Sequence, residues 1–245
     1  MRIVVIIPSR YDSTRFPGKP LAKIAGKPMI QWVYEKAEQA ENVTDIYVAT
    51  DDQRIYDVVK GFDGNAVMTS KENRSGTDRV AEAAEIIGIE MEDIVVNVQG
   101  DQPLFNFHSI DQLVKPFFTE SDLAMSTLAF KIVDKNEITD PKDVKVTFDQ
   151  RGYALYFSRS AIPFGRDAQL NFNTYKHLGF YAYTRHFLET FKSLPEGELE
   201  TIEKLEQLRA IEYGYQIKVV ITEYDSPEVD LPEDIPRIEG LIGQI

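Results

Sequence analysis

Ile3-Val4-Val5-Ile6-Ile7-Pro8-Ser9-Arg10, followed at once by the loop Tyr11 to Lys19, decides how this chain is read. The apolar run from Ile3 to Ile7 stops at Pro8. A run of that kind, bounded by a breaker, reads as a strand buried on both faces. In open α/β sheets, ligands bind beyond the carboxyl ends of such strands. The loop placed there carries Arg10, Arg15, Gly18 and Lys19. Clustered positive charge with a glycine, in a chain of net charge -13, calls for a polyanionic ligand, most simply a nucleoside triphosphate.

Working outward, the rest of the first half alternates strand and helix. Asp45–Ala49, Asn65–Met68 and Ile94–Val98 read as further strands. Pro28 starts a helix whose apolar stripe is Met29, Ile30, Val33, Tyr34 and Ala37. A second helix is expected near Gln53–Lys60, and a third, capped by Thr77, runs to about Ile87. Such alternation implies a mostly parallel, doubly wound α/β sheet of Rossmann-like nucleotidyltransferase type. Strand-like runs at Leu123–Ile132, Val144–Phe148 and Ala154–Ser158 are expected to form a smaller antiparallel insertion, an excursion over about 123–176. Gly179–Tyr183 then returns to the main sheet. A helix over Leu199–Tyr213 is expected to stop at Gly214, before a last strand at Ile217–Thr222 and a last helix at Pro232–Leu241. The expected organisation is a single domain over 1–245.

Composition narrows the function. A chain of 245 residues with 43% hydrophobic and 27% charged content is an ordinary globular protein. Its negative charge argues against nucleic-acid and anionic-membrane partners. The absence of cysteine excludes disulfides, thiolate catalysis and cysteine metal sites, and fits a cytoplasmic setting. The first strand begins near Arg2, so no signal peptide is expected, and no apolar run is long enough to span a membrane. His108, His177 and His186 lack close ligand spacing, so a histidine-built metal site is not expected.

The chemistry concentrates in a few segments. The first loop lacks both GxxxxGK[ST] and GxGxxG, so it is neither a Walker loop nor a dinucleotide fingerprint. A solvated loop of surface ion pairs is its bland reading; its position after the first strand favours a phosphate site. In Asn97-Val98-Gln99-Gly100-Asp101-Gln102-Pro103, a carboxylate beyond a central strand suits Mg²⁺, which takes one or two carboxylates plus phosphate oxygens. A turn aspartate serving backbone amides is the alternative. Asp230 could be a second carboxylate for that metal, or could simply cap the last helix within Asp230-Leu231-Pro232-Glu233. Arg74-Ser75-Gly76-Thr77 runs a glycine turn into a helix N-terminus, which could hold a base edge or a phosphate. Arg159 and Arg166 could clamp a substrate carboxylate. His177 and Glu206 could bind sugar hydroxyls, with Glu206 placed by spacing from Ile202 on the buried edge of its helix. A structural histidine and an exposed helix charge are the competing readings.

Taken in order, Ile7 to Arg10, Ser13 to Leu21, Gly26 to Ile30, Ala49 to Asp52, Ser75 to Thr77, Val98 to Asp101, Tyr156 to Arg159, Ile162-Pro163, His177 to Gly179, Leu205 to Leu208 and Val229-Asp230 resemble the 3-deoxy-manno-octulosonate cytidylyltransferases, or CMP-Kdo synthetases. The match runs nearly end to end. The resemblance implies a cytoplasmic homodimer using Mg²⁺ to join CTP and Kdo into CMP-Kdo and pyrophosphate, for lipopolysaccharide assembly. It implies that Arg10, Arg15 and Lys19 face the triphosphate and that Arg74, Ser75, Gly76 and Gln99 surround the cytidine. Asp101 and Asp230 would hold the metal, with Lys19, Asp101 and Asp230 as the catalytic group. Arg159, Arg166, His177, Tyr181, Glu206 and Gln207 would surround the sugar acid. Asn73, Gln102 and Leu231 depart from the family pattern without touching those charges. Phe164-Gly165 replaces a Trp-Asp pair and removes a carboxylate near the sugar region, which bears on the identity of the sugar; the chain resembles the 8-amino-3,8-dideoxy-manno-octulosonate enzymes as well. Cytidylyltransferases for other sugar acids such as sialate, and a non-catalytic nucleotide-binding protein, are the rival readings.

Overall fold

The computed structural model describes residues 1–167 and 170–242. The chain runs through β1 (Ile3–Ser9), a short hairpin of β2 (Lys23–Ile24) and β3 (Lys27–Pro28), α1 (Met29–Ala37), β4 (Asp45–Thr50), α2 (Gln53–Gly61), β5 (Ala66–Met68), α3 (Gly76–Ile87), β6 (Ile94–Asn97) and α4 (His108–Val114). It continues through β7 (Met125–Lys131), α5 (Asn136–Thr139), β8 (Lys145–Phe148), β9 (Ala154–Ser158), β10 (Tyr175–Thr184), α6 (Arg185–Ser193), α7 (Glu198–Glu203), α8 (Leu208–Glu212), β11 (Lys218–Thr222) and α9 (Asp234–Ile242).

The main sheet has the order β11-β7-β10-β6-β1-β4-β5, with β8 on β10 and β9 on β8. β1 lies parallel to β4 and β6, β4 to β5, and β7 to β11; β10 runs antiparallel between β6 and β7. The expected α/β class, with a mostly parallel sheet, is what forms. Its physical basis is visible in β1. Val4 and Ile6 pack into one apolar cluster with Val80, Ala84 and Phe187 from α3 and α6. Ile3, Val5 and Ile7 pack into another with Ile30, Val33, Ile55 and Leu113 from α1, α2 and α4. Val4, Val5, Ile6 and Ile7 are all 0% exposed, and burying each such side chain contributes roughly 1.5–3 kcal/mol. A strand covered on both faces has no polar side to alternate, which is why it reads as a continuous apolar run.

Several expectations need correcting. The run at Leu123–Ile132 does not start an antiparallel insertion: its core forms β7, inside the main sheet between β11 and β10. The antiparallel excursion is the β8–β9 pair packed on β10; residues 168–169 of the expected stretch lie outside the described residues. The helix expected over Leu199–Tyr213 is interrupted. Lys204 takes a left-handed conformation (φ 53°) that ends α7, and α8 begins at Leu208. Ser75, not Thr77, caps α3, accepting the Asp78 N–H at 3.1 Å.

Candidate active site

β1, β4, β5 and β6 end along one edge of the sheet, and two cavities open beyond it side by side. The smaller, of about 290 Å³, is walled by the loop after β1, the N-terminus of α3 and the turn after β6. The larger, of about 640 Å³, is walled by β10, the break between α7 and α8, and the segment before α9. Arg15, Gln99 and Asp101 line both. The two cavities therefore share a wall, and that wall carries a cation, an amide and a carboxylate.

Arg10, Arg15, Lys19, Arg74, Ser75, Gly76 and Gln99, read from sequence as the nucleotide residues, all line the smaller cavity. Local structure explains the convergence. Gly100 lets the end of β6 lie against the end of β1: a Cβ there would stand 3.0 Å from Ser9 Oγ and 3.3 Å from the Pro8 carbonyl. Lys19 follows Gly18 in a 3₁₀ turn (Lys19–Leu21) that directs its amine to Asp101. The N-terminus of α3 adds unpaired N–H groups and a partial positive charge. The whole forms a cationic, N–H-rich pocket suited to phosphate oxygens.

Asp101 and Asp230 both line the larger cavity. Lys19 Nζ lies 2.6 Å from Asp101 Oδ2 and 3.1 Å from the Val229 carbonyl. The Val229 N–H donates to the Asp101 carbonyl at 2.9 Å, which fastens the segment bearing Asp230 beside Asp101. Arg15 pairs with Asp230 at 3.1 Å. Asp230 does not cap α9. Asp234 does the local bonding instead, its Oδ2 accepting the N–H groups of Asp230 and Leu231 at 2.8 and 2.9 Å. The Asp230 carboxylate is thus left facing the cavity. Among the described residues no group of three or more His, Cys, Asp or Glu side chains is arranged to hold a metal. The donor set fits an ion that takes two carboxylates and completes its shell with phosphate oxygens, as Mg²⁺ does.

Sequence reasoning missed Glu228, which lines the same cavity. Although its side chain reaches solvent, desolvation against the cavity wall, then the nearby charges of Asp101 and Asp230, push its carboxyl up to about 7. The available signal was the alternation Glu228-Val229-Asp230, in which the central valine is buried and both acids are left outside it. Lys176 was missed as well. It is 7% exposed in β10 and sits between Glu137 Oε1 (2.7 Å) and Asp225 Oδ2 (3.0 Å) on the wall of the larger cavity.

Of the residues read as sugar-binding, Arg159, His177, Tyr181, Glu206 and Gln207 line the larger cavity. Arg166 does not: it is exposed and lines neither cavity. Glu206 is not on a helix edge, and Ile202, its supposed guide, is 68% exposed. The break after α7 instead turns Glu206 inward. Ser75 Oγ donates to its Oε1 at 2.7 Å and Thr77 Oγ1 to its Oε2 at 2.9 Å. Burial raises the pKa of Glu206 against the pull of those hydroxyls. His177 packs between Phe157 and Tyr181, with Nε2 2.8 Å from Thr127 Oγ1. Burial lowers its pKa to about 3, so the ring is neutral at physiological pH. Tyr181, raised well above its ordinary value by burial, then by Tyr183 and Glu206, stays protonated and donates to Gln207 Oε1 at 3.0 Å. That bond fixes the amide. Gln207 is 3% exposed, and its Nε2 has no hydrogen-bond partner among the described residues. A buried free donor costs roughly 1–3 kcal/mol, which a ligand oxygen would relieve.

Comparison with known proteins identifies the family. A family model described as cytidylyltransferase matches residues 4–219. A 3-deoxy-manno-octulosonate cytidylyltransferase of Desulfosudis oleivorans is 62% identical over 245 residues, covering 100% of this chain and 99% of its own. An 8-amino-3,8-dideoxy-manno-octulosonate cytidylyltransferase of Shewanella piezotolerans is 57% identical over 244 residues, covering 99% of each chain. A solved structure of a CMP:2-keto-3-deoxy-manno-octonic acid synthetase complexed with CTP superposes with a TM-score of 0.93 at 40% identity, covering 100% of this chain and 99% of its own. The chain belongs to the cytidylyltransferase family, among the 3-deoxy-manno-octulosonate cytidylyltransferases and their 8-amino relatives.

Proposed function

We propose that this protein transfers CMP from CTP to the anomeric hydroxyl of a 3-deoxy-octulosonic acid, Kdo or its 8-amino relative, releasing pyrophosphate and supplying the activated sugar for lipopolysaccharide assembly. The observation that carries the reading is the shared wall. A cationic, N–H-rich cavity and a polar, acid-lined cavity meet at Arg15, Gln99 and Asp101, so a phosphate bound in one can be reached by a hydroxyl bound in the other.

The chemistry is a single displacement. The hydroxyl oxygen bonds to the α-phosphorus and gives up its proton to solvent, the bond to the bridging oxygen breaks, and pyrophosphate leaves with that electron pair. The chain offers no cysteine, and no covalent enzyme intermediate is required. Arg10, Arg15, Lys19 and Arg74 neutralise the triphosphate, and the α3 N-terminus presents its N–H groups. Lys19 and Arg15 now balance Asp101 and Asp230. When triphosphate enters, its oxygens take over these cations, and the carboxylates are freed for a divalent ion. Asp101 and Asp230 would hold Mg²⁺, which supplies charge neutralisation and acidifies the attacking hydroxyl. Arg159 pairs with the sugar carboxylate, Gln207 donates from Nε2, and Glu206 and neutral His177 accept or donate to hydroxyls. Holding both reactants across one wall supplies most of the acceleration. A cytoplasmic homodimer belongs to this reading through the family resemblance.

The test is Mg²⁺-dependent pyrophosphate release from CTP with Kdo and 8-amino-Kdo in parallel. Release with either sugar supports the reading, and the faster one names the substrate. No release with either sends the assignment to other sugar acids.

A further inference from the structure

The loop after β1 is held at its base by residues that touch neither cavity. The Gly18 N–H donates to the Tyr11 carbonyl at 2.9 Å, closing the loop. Gly18 has φ 71°, and a Cβ there would stand 3.1 Å from the Tyr11 ring and hydroxyl. The ring therefore lies directly against the closing glycine. On the ring lies the Arg54 guanidinium, its central carbon 3.3 Å from the ring centroid. Arg54 is itself fixed. Its Nε and one terminal nitrogen bond Asp52 at 2.9 and 2.6 Å, while Asp52 caps α2 by accepting the Arg54 N–H at 2.9 Å. Further along the loop, Phe16 packs on the apolar cluster of Ile24, Met29, Val229 and Ile238. Between those anchors the loop carries Ser13 and Arg15, both on the wall of the smaller cavity, and Lys19 follows directly.

We infer that Arg54, stacked on Tyr11 and braced by Asp52, is a positioning residue that sets the phosphate loop for the nucleoside triphosphate before it binds. The inference rests on the reading of the smaller cavity as the nucleotide site. Arg54 itself lines neither cavity, so its part is to hold Tyr11, and through Tyr11 the two ends of the loop. A planar guanidinium on a ring contributes stacking that an ammonium on a flexible stem does not reproduce. A loop ordered in the free protein does not have to be ordered by the ligand, and that saving appears as affinity.

The experiment is calorimetric titration of the whole protein with CTP and Mg²⁺, without sugar, for wild type, Arg54→Ala, Arg54→Lys and Tyr11→Phe, with thermal unfolding of each. Arg54→Ala and Arg54→Lys are both expected to raise the Kd for CTP about fivefold, while Tyr11→Phe, which keeps the ring, binds as wild type. In turnover, the loss is expected in KM for CTP, with kcat at saturating CTP retained. Wild-type affinity in Arg54→Lys would overturn the inference in favour of simple charge attraction. Unchanged affinity in Arg54→Ala, with or without a lowered Tm, would reduce the stack to a structural contact and overturn it too. Failure of the wild type to bind CTP would instead remove the nucleotide reading, and this inference with it.

Discussion

Ser75 Oγ donates to Glu206 Oε1 at 2.7 Å, joining the first residue of the α3 cap to the break between α7 and α8. Ser75 lines the smaller cavity and Glu206 the larger. With the second bond from Thr77, one carboxylate thus receives the turn that walls the smaller cavity while its own residue lines the larger.

Glu206→Gln is therefore expected to impair both substrates. An amide offers one acceptor where the carboxylate offered two, so one hydroxyl loses its charge-assisted bond, worth roughly 1.5–3 kcal/mol. The kcat/KM for sugar is expected to fall about tenfold or more, and the Kd for CTP to rise. Stability at neutral pH is expected to hold. A carboxyl whose folded pKa is raised destabilises the fold once pH exceeds its unfolded pKa, and the amide removes that cost. An unchanged Kd for CTP would show that the clamp does not reach the nucleotide.

Asp101→Asn is expected to abolish turnover, by about 10² or more, while CTP binding partly survives on the basic loop. Steady-state rates and calorimetry separate the two. Unimpaired turnover would remove Asp101 from its catalytic role.

Chelation of divalent ions by EDTA is expected to stop pyrophosphate release, and added Mg²⁺ to restore it, since two carboxylates and a triphosphate need an ion to lie together. Full activity in EDTA would exclude Asp101 and Asp230 as metal ligands.

Arg159 and Arg166 are expected to part company. Arg159 lines the larger cavity and is fixed by the carbonyls of Glu203 and Pro141, each at 2.9 Å. Arg159→Ala should raise KM for the sugar about tenfold or more. Arg166→Ala should leave it within about twofold, the range of a surface substitution. Equal effects in sugar titrations would contradict the placement.

His177 makes stability depend on pH. Its folded pKa of about 3 lies below the ordinary value of 6.5. Between those values the unfolded chain binds the proton and the folded one does not. Stability is therefore expected to fall as pH drops from 6.5, by at most about 1.4 kcal/mol per pH unit, with the ring's partial opening to the cavity making the slope shallower. Denaturant titrations of His177→Asn should lose that slope; a slope that persists would assign it to carboxylates.

The sheet and the smaller cavity were legible because the signals of each contributing segment are local. Strands buried on two faces write themselves as apolar runs, and phosphate recognition gathers short basic loops at strand ends. The larger cavity was legible in parts. Gln207 and Tyr181 came from the family resemblance, because a polar pair joined across 26 residues leaves no pattern in either segment. Glu206 was placed for the wrong reason: helical spacing cannot register a left-handed residue such as Lys204, whose side chain carries no turn signal. β7 was misassigned because a strand's pairing partners are chosen by long-range packing, not by its own residues.

The most direct test of the central claim is phosphorus NMR of CTP, Mg²⁺ and sugar acid mixed with the enzyme. CTP is expected to be replaced in equal amounts by pyrophosphate and by a CMP phosphodiester on the anomeric oxygen. Consumption of CTP to CDP and phosphate, or to free CMP without a sugar diester, would contradict transfer across the wall of Arg15, Gln99 and Asp101.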